Sequence, residues 1–172
     1  HNYTLGFLGG LVTALFTSYA INNIIVLEWC DKLLELYESG KIDDYMKKTN
    51  IYEKYNEDKN LFFDLWYQYK EKRLKGYPQK MSDNYLLTFN RLENIETYFP
   101  ELKIGEKDYS KLGQSGIGAV ILAYDSLLNS LYYDKNKKEH IISFDSMIFF
   151  STLHFGDNDS TGAIAGAWYG AL

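Results

Sequence analysis

The chain has a single cysteine, Cys30, among its 172 residues. That excludes an internal disulfide framework and fits a reducing, cytoplasmic compartment. It has two prolines, so long helices can run unobstructed. No uninterrupted run of about eighteen apolar residues occurs, from which we expect no membrane span. Basic charge is not in excess: the net charge is −5, which argues against a general nucleic-acid binder, because nothing supplies a basic surface for phosphates. The start, His1-Asn-Tyr-Thr-Leu-Gly6, has neither an initiator Met nor the basic region of a signal peptide. It reads as the middle of a longer protein. No repeat period is visible.

What is present is an apolar, aromatic chain. Hydrophobic residues make up 46%, enough for one globular domain with a real core. Aromatics reach 17% and tyrosines number 16, which with many Asn and Lys points to an AT-rich genome more than to a function. Gly6 to Asn22 is apolar with small residues interleaved and is long enough for a buried helix rather than a strand. Ile24 to Ser39 has apolar residues at three-and-four spacing with charges between them, an amphipathic helix stopped by Gly40. Lys41 to Lys48 carries the adjacent pair Asp43-Asp44, read as solvated on a charged surface helix. Ile51 to Lys75 is a long charged and aromatic helix, with one apolar face from Leu61 onward, broken at Gly76-Tyr-Pro78. Asp83 to Phe99 is a further helix ended by Pro100, and Leu102 to Gly113 a polar loop. Val120 to Leu131 and Glu139 to Leu153 read as apolar helices. His140 and His154 are then too far apart on one helix to form a ligand pair, and with Cys30 they make no zinc set. Every long segment reads as helix and none as an alternating strand, so the expected fold is all-α.

Two stretches carry chemistry. The first is the C-terminal run from His154 to Leu172. Asp157 to Thr161 reads as a polar loop opening a helix that continues to the end, because Asp, Ser and Thr oxygens accept the free N–H groups of a first turn. The Gly and Ala positions of that helix predict close packing and burial. Asp157, Asp159 and Ser160 offer hard oxygens at one point, ligand chemistry for Mg²⁺ or Ca²⁺ rather than zinc. An EF-hand is excluded, since its twelfth position needs Glu and here is Trp168. The alternative is a capped helix whose carboxylates satisfy backbone donors only. The second stretch is Tyr109 to Ala119, a Gly-rich loop leading into an apolar helix. Such a helix start offers backbone N–H groups to an anion. It is not a dinucleotide fingerprint, because the glycine order is wrong and no strand precedes it.

Gly156-Asp-Asn-Asp-Ser-Thr-Gly-Ala-Ile-Ala-Gly166 resembles the G-D-x-D-[ST] signature of the ADP-ribosylglycohydrolases, and within them the ADP-ribosyl-arginine hydrolase branch. Gly6-Phe-Leu-Gly9 and Ala14-Leu-Phe-Thr-Ser-Tyr-Ala20 are similar to that branch's segment after its T-H pair, and His1 falls on the family's His. Tyr109-Ser110, then Ser115-Gly116, then Ala123-Tyr-Asp125 follow the family's second loop and helix. Ile117-Gly118 departs from the arginine branch, which has His-Asp there, and is closer to the serine-directed branch.

The resemblance implies the C-terminal portion of a compact helical ADP-ribosylglycohydrolase domain over residues 1–172. It implies a cleft holding two Mg²⁺ ions, with Asp157 and Asp159 catalytic and Asp157, Asp159 and Ser160 as metal ligands. It places His1, Tyr109, Ser110, Ser115, Gly116 and Ile117 at the ADP-ribose. The implied reaction is hydrolysis of the bond between ADP-ribose and a protein side chain, arginine foremost. The family's other metal half-site, an N-terminal Asp-Asp pair, has no counterpart here. The expected partners are therefore an ADP-ribosylated protein and the N-terminal half of the same protein or a completing chain. The alternative is a catalytically inactive family member kept as a structural or assembly component.

Overall fold

A computed structural model describes residues 3–75, 111–154 and 156–172. The helix expected over 83–99 and the loop expected before residue 111 lie outside the described residues. In chain order the elements are α1 (Tyr3–Ile21), a 3₁₀ turn (Val26–Glu28), α2 (Trp29–Glu38), α3 (Lys41–Met46), α4 (Tyr52–Tyr69) and a π turn (Lys70–Leu74). Then come α5 (Gly116–Asn129), β1 (Leu131–Asp134), β2 (Glu139–Ile142), α6 (Phe144–Thr152) and α7 (Asn158–Ala171).

α5 is the axis. Every residue from Ile117 to Asn129 is buried, which its run of Val, Ile, Leu and Ala permits. α1, α6 and α7 pack around it, and α1 also touches α2, α4 and α7. Leu5, Leu8, Val12, Phe16 and Ala20 form the buried stripe of α1, at helical spacing. α1 ends because Asn23 takes a left-handed conformation (φ 56°). The amides of Asn23 and Ile24 then bond back to the carbonyls of Ala20 and Tyr19, closing the last turn. Although no uninterrupted apolar run exists, Thr4–Ile21 is long and apolar enough on average (mean hydropathy 1.5) to cross a membrane by length and composition. In the structure its apolar stripe is packed against the core helices.

The core is aromatic. The Phe16 ring sits 5.2 Å from Trp29, 5.7 Å from Trp66, 5.3 Å from Tyr124 and 5.3 Å from Trp168, tying α1, α2, α4, α5 and α7 together. Burying such rings requires partners for their polar tips. Trp29 Nε1 donates to Ile24 O, Trp168 Nε1 to Thr13 O, and the Tyr124 hydroxyl to Val26 O. Cys30 is buried in the same core, and burial, reinforced by Asp31, raises its thiol pKa far above the ordinary range, so it is an inert thiol.

A second tie is ionic. Arg73, on the π turn, donates from Nε to Asp125 Oδ1 at 2.9 Å, and its other arm reaches Asn129 Oδ1 at 3.0 Å. The Tyr69 hydroxyl donates to the same Asp125 oxygen at 2.7 Å, and Asn129 Nδ2 to Asp125 Oδ2 at 2.6 Å. The Arg73 and Asp125 side chains are 0% and 4% exposed. A charge this deep persists only when paired and hydrogen-bonded, as this one is.

The structure departs from the sequence reading in four places. The expected helix over 139–153 is split: Glu139–Ile142 is a strand paired antiparallel with Leu131–Asp134, and Ser143 caps α6 by accepting from the Ser146 amide. Asp134 turns the hairpin by accepting from the amides of Asn136 and Lys137, so local turn chemistry and two β-branched isoleucines outweigh helical periodicity. The fold is therefore helical with one small hairpin. α7 is buried on one face only, through Thr161, Ala165 and Trp168. Its close packing is confined to Gly162, since a Cβ at Gly166 or Gly170 would meet nothing. Leu61 is 44% exposed, and the buried face of α4 runs through Phe62, Leu65, Trp66 and Tyr69. Of the Asp pair, Asp44 is exposed but Asp43 is half-buried, accepting from the Tyr55 hydroxyl (2.6 Å) and Lys59 (3.0 Å) to brace α3 on α4.

Beyond the far end of α7 lies an open groove of about 600 Å³, lined by Ile24, Ile25, Ile142, Tyr169 and Leu172 among others.

Arg73→Met should destabilise the fold by about 3–5 kcal/mol in urea denaturation, because it strands Asp125 in the core. Arg73→Met with Asp125→Leu should recover a large part of that loss. A cost below about 1 kcal/mol for the single change, the scale of an exposed pair, would show the pair to be solvated.

Candidate active site

The two chemistry-bearing loops of the sequence meet. The Asp157 amide donates to Leu112 O at 2.6 Å. Gly156 lies so close to the other loop that a Cβ there would sit 2.2 Å from the same Leu112 oxygen. Gly113 has φ 81°, a conformation that favours glycine, and a Cβ on it would meet Thr161 Cγ2 at 2.9 Å and Asp157 O at 3.1 Å. On the opposite side, a Cβ at Gly116 would lie 2.1 Å from Leu5 O of α1, and one at Gly9 would lie 2.2 Å from Gly116 O. The loop at 112–116 is thus held between the start of α1 and the start of α7 by backbone-to-backbone contact.

Each loop ends in a capped helix. Ser115 Oγ accepts from the Gly118 amide at 2.9 Å, and the first α5 backbone bond is from Ala119 to Ser115 O. Among the described residues the amides of Gly116 and Ile117 have no acceptor. These donors, with the positive end of the helix, suit an anion. Ser115 and Gly116 are half-buried, whereas the Ile117 side chain is fully buried in the core, so only its backbone can face a ligand. His1, Tyr109 and Ser110 lie outside the described residues.

Asp157 is the N-cap of α7, and its Oδ1 accepts from the Ser160 amide at 3.4 Å. Asp159 is exposed in the first turn, while Asp157 and Ser160 are half-buried. A hydrogen bond with Asp157 holds the Asp159 carboxyl below the usual carboxylate range, helped by its own amide and that of Ser160. Both carboxyl groups stand at one turn, Asp157 as the cap of α7 and Asp159 in its first turn. Among the described residues no group of three His, Cys, Asp or Glu side chains is placed to hold a metal ion. The donor set is nevertheless hard oxygen throughout. It fits Mg²⁺ as a partial site, because that ion wants about six oxygens and retains some as water.

Sequence reasoning missed what holds this loop. Thr161 and His154 are bonded to each other, Nε2 to Oγ1 at 2.7 Å, and Thr161 Oγ1 also donates to Ser151 O at 2.7 Å. A His two residues before a Gly-Asp turn was the available signal. Asp125, part of the motif-like Ala123-Tyr-Asp125, is placed in the Arg73 ion pair instead.

Gly156→Ala should force the loops apart, costing about 1–3 kcal/mol in urea denaturation as overpacking does. Gly166→Ala, on the open side of α7, should be neutral or stabilising by up to about 1 kcal/mol. Equal effects for the two substitutions would contradict the close approach.

The family model described as ADP-ribosylglycohydrolase matches residues 1–172. A Dictyostelium discoideum protein named ADP-ribosylhydrolase ARH1 is 36% identical over 188 residues, covering 100% of this chain and 44% of that protein. An Acanthamoeba polyphaga mimivirus protein, L444, described as a candidate ADP-ribosyl glycohydrolase, is 30% identical over 174 residues, covering 99% of this chain and 31% of that protein. The chain thus spans less than half the length of these curated relatives. With the family model matching from end to end, the chain belongs to the ADP-ribosylglycohydrolase family.

Proposed function

We propose that this chain supplies one half of the active site of a Mg²⁺-dependent hydrolase. Its reaction releases ADP-ribose from a protein side chain, with arginine as the first candidate. The observation that carries the reading is the contact of Leu112 and Gly113, just before the helix start at Ser115–Ile117, with Gly156 and Asp157 at the head of the carboxylate loop. An anion-accepting helix start beside a carboxylate pair matches the two ends of the substrate, a pyrophosphate and a ribose joined to a cationic leaving group.

In this reading the amides of Gly116 and Ile117 take the pyrophosphate, and the family resemblance assigns Tyr109, Ser110 and His1 to the same ADP-ribose. Asp157, Asp159 and Ser160 would hold the metal. When bound, Mg²⁺ supplies charge and orients hydroxyls and water. Asp159, with its lowered pKa, is a weak base and a good anionic ligand. Asp157 and Asp159 are the two candidates to take a proton from an attacking water, Asp157 half-buried and Asp159 exposed. In the hydrolysis the bond from the anomeric carbon to the side-chain nitrogen or oxygen breaks, water oxygen bonds to that carbon, and the leaving group departs protonated. The remaining ligands come from the N-terminal part of the same protein or from a completing chain. The buried thiol of Cys30 fits a reducing cytoplasmic setting.

Gly118 removes the carboxylate that the arginine branch carries in this loop, and its amide instead binds Ser115 Oγ. The test uses the full protein that contains this chain, with magnesium, ADP-ribose and arginine-linked or serine-linked peptides. The expected result is a magnesium-induced rise in melting temperature that Asp159→Ala abolishes, ADP-ribose binding, and release from at least one peptide. An Asp159→Ala protein with an undiminished magnesium shift would overturn the metal assignment. Binding of ADP-ribose without release from either peptide would identify an inactive member that kept its pocket.

A further inference from the structure

We propose that His154 is a positioning residue that sets the geometry of the Asp157–Ser160 carboxylate loop through one fixed neutral tautomer. The proposal rests on the reading of that loop as a cation-holding half-site.

The His154 ring bonds to both sides of the turn. The Gly156 amide donates to Nδ1 at 3.2 Å, and Nε2 lies 2.7 Å from Thr161 Oγ1. An amide N–H can only donate, so Nδ1 must be unprotonated, and the ring proton of a neutral imidazole is then on Nε2. Nε2 therefore donates to Thr161 Oγ1. That hydroxyl has one proton of its own and gives it to Ser151 O, also at 2.7 Å. The result is a directed chain from Gly156 through the imidazole and Thr161 to the end of α6. Thr161 and Ser151 are fully buried, so neither can exchange this partner for water.

The chain of bonds decides where the carboxylates point. It fixes the Gly156 amide one residue before Asp157, at the place where Gly156 rests on Leu112 O and the Asp157 amide donates to that same oxygen. It also fixes Thr161, whose hydroxyl lies 3.1 Å from Asp157 O. Asp157, Asp159 and Ser160 lie between these two anchors, one at each end of the ligand triplet. Partners of this kind around metal ligands hold them in register, and losing one weakens metal binding by roughly 10–100-fold.

The test compares wild type, His154→Ala and His154→Asn in the full protein. The Asn oxygen can accept from the amide two residues on, as Nδ1 does here, so it restores the Gly156 anchor. Nitrogen-15 NMR of the wild-type imidazole without metal should show a protonated Nε2 and an unprotonated Nδ1. Magnesium affinity, read from the dependence of melting temperature on Mg²⁺ concentration, should fall at least roughly tenfold in His154→Ala and recover most of that in His154→Asn. The metal-free melting temperatures of wild type and His154→Asn should be close, which separates positioning from loss of fold. A ring proton on Nδ1 would overturn the proposal. So would a His154→Ala protein that binds magnesium like wild type, or a well-folded His154→Asn protein that binds it no better than His154→Ala. A wild type with no magnesium response would instead overturn the underlying metal reading, an outcome distinct from these.

Discussion

The site depends on backbone packed directly against backbone. Gly9, Gly116 and Gly156 are the places where the starts of α1 and α5 and the loops before α5 and α7 approach closer than any side chain permits. Interiors are close-packed and resist even one added methyl, so these contacts define distances rather than merely allow them. Because the loops at 112–116 and 156–160 lead directly into helix starts, fixing the helices fixes the donors and carboxylates they carry.

Behind that contact stands a core built to keep α5 still. The rings around Phe16 bind five helices at one point, and the Arg73–Asp125 pair anchors the middle of α5 to the end of α4. The buried ion pair is weak evidence for net stability, since an apolar core could do as well. Its consequence is specificity: Tyr69, Arg73 and Asn129 together accept one position of Asp125, and so one register of α5. The carboxylates and the helix-start amides then sit at the ends of rigid elements, an arrangement suited to preorganised binding.

Much of this was legible in the sequence. The helices α1, α2, α4 and α5 follow from apolar content, length and spacing, and the cap at Asp157 from residue type. What was not legible has physical reasons. Glycines look alike in sequence, yet Gly116 and Gly156 sit at crossings while Gly166 and Gly170 face open space. Which glycine matters is a property of the partner backbone. The run Glu139–Leu153 is apolar enough for either period, and only the Asp134 turn and the Ser143 cap divide it into strand and helix. Asp125 stands in a motif-like tripeptide, but its role depends on Arg73, 52 residues away in sequence. His154 was set aside as half of a zinc pair that could not form, whereas its partners are the Gly156 amide and Thr161 within its own turn.

The central claim is that the helix start at 115–117 and the loop at 156–160 form one ligand surface. Backbone amide hydrogen exchange of the full protein, with and without ADP-ribose and Mg²⁺, tests it most directly. The account predicts that Gly116 and Ile117 gain protection together with Asp157 to Thr161, while the groove at Ile24, Ile142 and Tyr169 is unchanged. Protection confined to that groove, or to one of the two loops alone, would contradict it.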